Sequence, residues 1–466
     1  MKKFTLSTKH VKILADTLTP VSAYLKLRDV FPHSLLLESS DYHANNNDFS
    51  YICCNPIAFI SLKNSELSTH YPDGSNNKIK VDTTTDIPEK IHQFSQQFDC
   101  EKFPFKFISN GIFGYIAHEA IDQFDNIILN KSKPGHDIPD IYYAVYQNII
   151  AISLFNHEAH LFSHIYDDKH NLNEIKRLLS TKNSSKFDFK KVGGKISNLT
   201  DSQFIDFVNK GKKHCHRGDV FQLVLSRRFS QEFKGDEFNV YRTLRSINPS
   251  PYLFFFDYGD FKIFGSSPEA QLIVQNGKAE IHPIAGTFKR TGNDEQDAES
   301  AKELLKDPKE NSEHVMLVDL ARNDLSRNGS EVKVEKNREI QFYSHVIHLV
   351  SKVICTMKKS AKTFRVVADT FPAGTLSGAP KHKALQLIDK YETTQRNFYG
   401  GAIGYMDFYG NFNHAIIIRS FLSKNHHLYY QAGAGIVAKS IPESELQEVY
   451  NKLGALDKAL ILAEEI

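Results

Sequence analysis

The chain has 466 residues, of which 41% are hydrophobic, so it can bury a large core but is longer than a typical single domain. Its 57 basic and 55 acidic residues are mixed along the sequence and leave a net charge of +2, which argues against nucleic acid as a partner. The basic N-terminus lacks the apolar run of a signal peptide and no stretch is apolar enough to span a bilayer, so we expect a cytoplasmic protein without membrane contact.

Short runs of alternating apolar and polar residues predict strands in the N-terminal part of the chain. Two such runs are 58–62 and 149–155. Serine, lysine, asparagine and glycine replace large apolar residues at 180–198, which predicts a linker. The sequence therefore predicts an N-terminal lobe over 1–190 and a second domain over 191–466.

The second part of the chain contains clearer signals. The run 220–233 alternates like a strand, and the Asn-Gly pair at 276–277 predicts a tight hairpin turn. The Asp-Pro pair at 307–308 predicts the start of a helix that runs to about Arg327, and Pro442 opens a C-terminal helix. Because strand pairs are interleaved with helices without a regular alternation, we expect an α+β fold with large, mainly antiparallel sheets and helices outside.

The cysteines give no indication of a disulfide framework or a zinc site. They are odd in number and include no CxxC spacing. We therefore expect reduced and mostly buried thiols at Cys53, Cys54, Cys100, Cys215 and Cys355.

Two pairs of glutamates share a three-residue spacing on predicted helices. Glu310 and Glu313 project from one helix face, and Glu445 and Glu448 repeat the spacing near the C-terminus. Such pairs can supply oxygen ligands to Mg²⁺, which takes one or two protein carboxylates together with an anionic substrate. A solvated helix face is the alternative for either pair alone. Lys452, one turn after Glu448, either forms a surface ion pair or holds a metal-binding carboxylate in place.

Other residues suit an anionic substrate. The glycine-rich stretches 371–381 and 431–435 offer backbone N–H groups to an anion, and neither continues into the Gly-Lys-Ser/Thr of a Walker loop. Arg419 is a bidentate partner for a carboxylate. His348 lies in an apolar strand, where a core role is commoner than a catalytic one. These features together predict a carboxylate site in the C-terminal part of the chain.

Three long motifs occur in the same part: PIAGT at 283–287, EHVMLVDLARND at 313–324 and FPAGTLSGAPK at 371–381. They resemble the motifs of the chorismate-utilising enzymes, and most closely those of the anthranilate synthase component I family. The resemblance covers nearly the whole chain and is strongest from about Asp201 onward. It implies the chorismate-binding fold, in which the sheets pack face to face, with the catalytic domain over 191–466.

The resemblance also implies a magnesium site. Glu313 and Glu448 would bind Mg²⁺, the metal would hold the ring carboxylate of chorismate, and Glu310 and Glu445 would lie nearby. A dianionic substrate needs both of its charges met before its ring can be held still.

The reaction residues are implied in the same way. Glu269 would be the general acid for the ring C4 hydroxyl, His348 the base that removes the C2 proton, and Thr375 would line the ring. The residues expected to contact the substrate are Gln222, Thr287, Tyr399, Arg419, Gly433, Gly435 and Lys452.

Two positions distinguish activities within the family. Gln222 stands where isochorismate and salicylate synthases carry lysine, and because glutamine cannot act as the base that activates water, ammonia is the expected nucleophile. Ala285 stands where aminodeoxychorismate synthases commonly carry a nucleophilic lysine. The resemblance therefore implies an anthranilate synthase large subunit of tryptophan biosynthesis, with aminodeoxychorismate synthase component I as the alternative. A third hypothesis, a catalytically idle homologue, gives no reason for the intact set of site residues.

Two further interactions follow from the resemblance. Ser39, Pro251, Tyr252 and Leu253 correspond to elements of a tryptophan-binding site, which implies feedback inhibition by tryptophan. Leu253 stands where methionine is frequent, a change that nearly conserves volume. The chain lacks the cysteine, histidine and glutamate layout of a glutaminase, so a separate glutamine amidotransferase subunit is expected to supply ammonia.

Overall fold

The computed structural model describes residues 2–39, 49–182, 184–342 and 346–466, with the backbone alone at 285–287, 289, 309 and 346. The strands before residue 200 are β1 (Phe4–Leu14), β2 (Leu35–Glu38), β3 (Ser50–Lys63), β4 (Glu66–His70), β5 (Asn76–Lys80), β6 (Phe98–Cys100), β7 (Ile112–Ile116), β8 (Ile141–Ser153), β9 (Glu158–Ile165) and β10 (Phe189–Ser197). The helices in this part are α1 (Pro20–Leu27), α2 (Ile87–Ser95) and α3 (Leu172–Leu179), with a 3₁₀ turn at His118–Gln123.

The strands of the second part carry most of the site. They are β11 (Gln222–Gly235), β12 (Tyr252–Asp257), β13 (Phe261–Ser267), β14 (Ala270–Gln275), β15 (Lys278–Ile281), β16 (Ile284–Lys289), β17 (Gly329–Phe342), β18 (Val346–Met357), β19 (Gly378–Ala379), β20 (Ala402–Met406), β21 (Phe412–Ile416), β22 (Ser420–Lys424) and β23 (His427–Ile436). The helices are α4 (Asp201–His216), α5 (Phe238–Ile247), α6 (Asp294–Lys306), α7 (Pro308–Ser326), α8 (Thr363–Thr370), α9 (Gly374–Ser377), α10 (Lys381–Tyr391) and α11 (Pro442–Leu462), followed by a 3₁₀ turn at Ala463–Glu465.

The predicted helix starts and hairpin are confirmed. The side chain of Asp307 accepts a hydrogen bond from the backbone N–H of Glu310 at 3.0 Å, which caps α7. Pro442 occupies the first turn of α11, where its missing N–H costs nothing. Asn276 and Gly277 both have positive φ, 51° and 76°, as a two-residue turn between β14 and β15 requires.

Of the four segments predicted at 58–62, 149–155, 180–198 and 220–233, the last three need correction in their bounds or their type. The run 58–62 lies inside β3 as expected. β8 ends at Ser153, so the expected strand was two residues too long, and Leu154 and Phe155 are exposed by 50% and 55% in the following turn. The run 220–233 is a strand whose bounds shift by two residues.

The stretch 180–198 was wrongly predicted to be a linker throughout, because it contains β10. This strand pairs antiparallel with β11 from Phe189↔Gly235 to Ser197↔Phe229. Its composition is polar because most of its residues are exposed or half-buried. The division of the chain near residue 190 stays a prediction.

The described strands are joined in one sheet system that closes as a barrel, and the paired strands are antiparallel except for the parallel pair β1–β6. Pairs such as β2–β12 and β7–β20 connect segments more than 200 residues apart. A large core cluster packs strands against helices, and a second cluster, rich in aromatic rings, draws mainly on strands from both parts of the chain. The predicted α+β class with mainly antiparallel sheets is confirmed.

The described cysteines are all free thiols, as expected, and Cys53, Cys54 and Cys355 are buried. No helix within the described ranges is both long and apolar enough to cross a membrane.

Candidate active site

Glu269 is a buried carboxyl group in the turn between β13 and β14. Only 8% of the residue is exposed, and Thr375 Oγ1 donates a hydrogen bond to its Oε1 at 3.0 Å. Burial raises the pKa of Glu269 to about 8, against the lowering effects of the Thr375 hydrogen bond and the charges of Lys452 and Arg419. Glu269 is therefore protonated at neutral pH and can donate a proton.

The glycine-rich stretch 371–381 brings Thr375 to this carboxyl. Thr375 lies in the single helical turn α9, which ends where Gly378 adopts φ 126°. A Cβ at Gly378 would lie 2.2 Å from the backbone oxygen of Gln222, so glycine is required for β19 to pair with β11. The close backbone approach thus fixes α9 beside the start of β11.

Gln222 and Glu313 meet at the start of β11. The Nε2 of Gln222 donates to Glu313 Oε1 at 2.7 Å, and Gln222 is 2% exposed. Gly435 faces this pair from β23, where a Cβ would lie 2.6 Å from Gln222 Nε2 and 3.7 Å from Glu313 Oε1. The missing side chain at Gly435 therefore leaves room for the Gln222 amide that holds the carboxylate.

A second carboxylate lies near the other glycine of β23. Lys452 Nζ donates to the backbone oxygen of Gly433 at 2.9 Å and forms an ion pair with Glu448 at 2.7 Å. The backbone N–H of Gly433 donates to the phenolic oxygen of Tyr399, and burial raises the pKa of Tyr399. Gly433 thus contacts both Tyr399 and Lys452, which is the ion-pair partner of Glu448. Lys452 belongs to this group rather than to a separate surface patch.

The carboxylates suit a hard cation. Across the described ranges, no three histidine, cysteine, aspartate or glutamate side chains gather closely enough to hold a metal ion by themselves. Mg²⁺ needs only one or two protein carboxylates when an anionic ligand completes its coordination. Glu313, which accepts from Gln222, and the half-buried Glu448 are the two carboxylates predicted to bind it. Glu310 is half-buried on α7 and Glu445 is buried on α11.

Arg419 supplies a cation between β21 and β22. Burial lowers its pKa while the charge of Glu269 raises it, and a guanidinium stays protonated under such shifts. Its backbone has φ 49°, and its carbonyl accepts from Ser266 N–H at 3.1 Å. The left-handed conformation lets the chain turn from β21 into β22 and leaves the guanidinium near Glu269.

His348 lies on β18 and is 3% exposed. Its neighbours across the sheet are Thr287 on β16 and Gln341 on β17. The side chain of Thr287, predicted to contact the substrate, lies outside the described residues. α7, which carries Glu313, packs against β16, β17 and β18, so this helix lies on the part of the sheet that carries His348.

The comparisons with known proteins decide the family. A family profile described as chorismate binding enzyme matches residues 33–458. The chain belongs to the chorismate binding enzyme family. The predicted family resemblance is therefore confirmed.

Curated relatives narrow the position within the chorismate binding enzymes. The chain is 36% identical over 478 residues to anthranilate synthase component 1 of Aquifex aeolicus, covering 98% of this chain and 95% of the relative. It is 35% identical over 481 residues to the protein of that name from Bacillus subtilis, covering 97% and 91%. The prediction of an enzyme of the anthranilate synthase type is confirmed by these relatives.

Solved structures of this family agree. The crystal structure of anthranilate synthase component I from Streptococcus pneumoniae superposes with a TM-score of 0.74 at 31% identity, covering 95% of this chain and 98% of that one. The menaquinone-specific isochorismate synthase of Escherichia coli has a TM-score of 0.73 at 17% identity, covering 99% and 96%, which shows the fold alone. The chorismate-binding fold was thus predicted correctly.

The four residues predicted to bind tryptophan come together at one end of β2 and β12. Leu253 pairs with Glu38, next to the exposed Ser39, while Pro251 and Tyr252 are half-buried. The carboxylate of Glu38 accepts from Tyr241 Oη at 2.6 Å and Arg245 Nε at 2.9 Å. These two contacts were not expected from the sequence, although Glu38 directly precedes Ser39.

Sequence reasoning also missed polar residues around Glu269. Gln271, Asp324 and Thr370 line a cavity together with Glu269. A signal existed for two of them, since Gln271 follows Glu269 at the two-residue period of a strand and Asp324 ends the 313–324 motif.

Proposed function

We propose that this chain is the anthranilate synthase subunit that converts chorismate and ammonia to anthranilate and pyruvate. The main observation in support of this is the side chain of Gln222. Its Nε2 donates to Glu313 Oε1 at 2.7 Å, and it stands at the strand position where a water-activating enzyme would carry its base. An amide cannot deprotonate water, so the nucleophile is ammonia, which needs no base to be reactive.

In the proposed reaction, Glu269 protonates the C4 hydroxyl as it leaves and ammonia adds at C2. The buried, protonated state of Glu269 at neutral pH supports this role. His348 then removes the C2 proton, the ring becomes aromatic, and the enolpyruvyl group leaves as pyruvate. The gain of aromaticity in the product makes this elimination strongly favourable, so positioning is the main demand on the protein.

The substrate's two carboxylates require two sets of partners. Arg419 and the Tyr399 hydroxyl, which accepts from Gly433 N–H and has its own O–H to donate, are proposed for one carboxylate. The ring carboxylate belongs with Glu313 and Glu448, where Mg²⁺ would neutralise the mutual repulsion of three carboxylates. Gly435 would leave room for the Gln222 amide that holds Glu313, and Thr287 and Thr375 would line the ring.

Loss of Glu448 should weaken the binding of Mg²⁺. We expect Glu448→Ala to raise the Mg²⁺ concentration for half-maximal activity by at least about 100-fold. Replacing even a residue that only hydrogen-bonds to a metal ligand typically lowers metal affinity by about 10–100-fold. Calorimetric titration of Mg²⁺ in the presence of chorismate gives a second reading. Glu443→Ala, an exposed glutamate one turn earlier on α11, is the matched control and should leave both values unchanged. Equal Mg²⁺ dependence in both variants would place the metal elsewhere.

Feedback inhibition by tryptophan is proposed at Ser39, Pro251, Tyr252 and Leu253. We expect Ser39→Phe to raise the tryptophan concentration for half inhibition by at least about 10-fold, because a ring added at the exposed end of β2 would fill the proposed site and cost about 1.4 kcal/mol or more of binding energy. The turnover number should change little. Inhibition equal to that of the unaltered chain would move the effector site away from β2.

The name component 1 of the relatives supports a partner subunit. We propose a glutamine amidotransferase that delivers ammonia to the site, with the complex located in the cytoplasm. Titrating such a subunit should make turnover depend on glutamine instead of ammonium.

The function is tested by product identification. The purified chain is incubated with chorismate, Mg²⁺ and excess ammonium at mildly alkaline pH, and the products are separated and weighed by mass spectrometry. Anthranilate and pyruvate in equal amounts are the expected result. Aminodeoxychorismate without pyruvate would favour the alternative activity, and isochorismate would overturn the choice of nucleophile. Absence of product both with ammonium and with the amidotransferase and glutamine would favour the idle homologue.

A further inference from the structure

A cavity borders Glu269, and neither Arg419 nor Gln222 lines it. It leaves about 30 Å³ for the centres of water molecules, and about 10–15 Å³ is enough for one. Its apolar wall includes Leu317, Leu320 and Ala321 of α7. The cavity is therefore large enough for a short chain of water molecules.

The polar wall of the cavity contains a buried hydrogen-bond acceptor that has no donor among the described residues. Gln271 is 2% exposed, and its Nε2 donates to Thr370 Oγ1 at 3.1 Å. Its Oε1 is buried and has no hydrogen-bond partner among the described residues. Because a buried carbonyl oxygen without a hydrogen bond destabilises the fold, water in the adjoining cavity is the natural donor to it.

The opposite end of the cavity is an ion pair that reaches the surface. Lys381 Nζ donates to Asp324 Oδ2 at 2.7 Å and to the backbone oxygen of Thr370 at 2.8 Å. The side chains of Lys381 and Asp324 keep 13% and 7% of their exposure. Burial and the charge of Asp369 raise the pKa of Asp324, and the charges of Lys381 and Arg327 oppose this.

If Glu269 is the general acid of the proposed reaction, on which this inference rests, it needs a route by which solvent can return a proton to it. In each turnover, the C4–O bond breaks, the C2–N bond forms, and the proton of Glu269 leaves within the released water. Ammonia adds with its three protons and the resulting ammonium group releases one of them to solvent, so the sum is balanced once Glu269, left as a carboxylate, takes one proton back. The cavity that borders this carboxylate offers it a route to solvent while chorismate occupies the site.

We propose that the cavity returns a proton from solvent to Glu269 through water held between Gln271 and the Asp324–Lys381 pair. Asp324 is a relay residue and Gln271 a positioning residue, and neither touches the substrate. The proton passes from Asp324 along water to Glu269, because each water both accepts and donates, while Gln271 Oε1, which can only accept, holds the water in place.

The test compares Asp324→Asn with the unaltered chain at saturating chorismate, Mg²⁺ and ammonium. We expect kcat to fall about tenfold, less than the roughly 10²–10⁴-fold loss expected for removing a general acid itself. The KM for chorismate should stay unchanged, and added imidazole, a small buffer that can carry protons near neutral pH, should restore kcat. Gln271→Leu, similar in size but without the acceptor, should behave in the same way.

The matched control is Asp369→Asn. Asp369 also lies near Asp324 but pairs with Asn328 and does not line the cavity. It should keep the turnover number of the unaltered chain.

An unchanged kcat in Asp324→Asn and Gln271→Leu would overturn the proposal, and so would a loss that imidazole does not reverse. Failure of the proposed function is recognised separately, since Glu269→Gln would then remain active or the product would not be anthranilate.

Discussion

Replacing Glu269 by glutamine is expected to lower kcat by about 10²–10⁴-fold, the usual contribution of a positioned general acid. Glutamine has the same shape, and its amide oxygen can still accept the 3.0 Å hydrogen bond that Thr375 donates. The chain should therefore fold normally and bind chorismate with nearly unchanged affinity. Steady-state rates with ammonium and a separate calorimetric measurement of chorismate binding distinguish the two effects.

The pH dependence gives a second check on the same residue. The pKa of Glu269 is raised to about 8 by burial, and the acid form is the proton donor. Activity assigned to it is fully present below that pH and is lost as the pH rises through it, so kcat/KM should fall above about pH 8. Because the Thr375 hydrogen bond lowers this pKa, Thr375→Val should move the decline to higher pH. A decline that survives in Glu269→Gln would assign it to another group.

Local signals in the sequence were enough for several elements. Asp307 and Pro442 mark the starts of α7 and α11, because capping and proline geometry act within one turn. The Asn276–Gly277 turn is equally local. The three motifs identified the residues around Glu269 and Glu313 because their family pattern is long.

Other features depend on distant parts of the chain. β10 looked like a linker because exposed strands can be polar, and only its pairing with β11 orders it. The contact between Gln222 and Glu313 joins residues 91 positions apart, and composition does not predict such a pairing. Gln271 gave no sign of an unpartnered oxygen, since that property depends on the cavity formed by α7.

The Arg396–Glu392 pair is the strongest example of a feature that the sequence did not reveal. Arg396 is 1% exposed, and its guanidinium donates to Glu392 Oε1 at 2.7 Å and Oε2 at 2.9 Å. It also donates to the backbone oxygens of Leu376 at 2.6 Å and Val224 at 2.8 Å. Glu392 in turn accepts from the backbone N–H and hydroxyl of Ser226. The pair thereby ties α9, which carries Thr375, to β11.

Glu392→Ala is expected to lower the free energy of unfolding by about 3–5 kcal/mol, because it leaves a buried guanidinium without its counter-charge. Urea denaturation followed by circular dichroism measures the loss. Glu299→Ala removes an exposed helix glutamate that pairs with Lys302 at 3.2 Å, and should cost less than about 1 kcal/mol.

A double replacement separates the cost of a stranded charge from the value of the ion pair. In Glu392→Leu/Arg396→Met, two apolar side chains of similar volume fill the space. The buried charges that remain nearby, Glu119 and Arg228, are of opposite sign and interact, so most of the lost stability should return. Activity should not return with it, because the backbone oxygens of Leu376 and Val224 lose the donor that holds α9 against β11. Stability recovered without turnover would show that the pair positions Thr375. A double variant as unstable as Glu392→Ala would instead make the ion pair itself the source of stability.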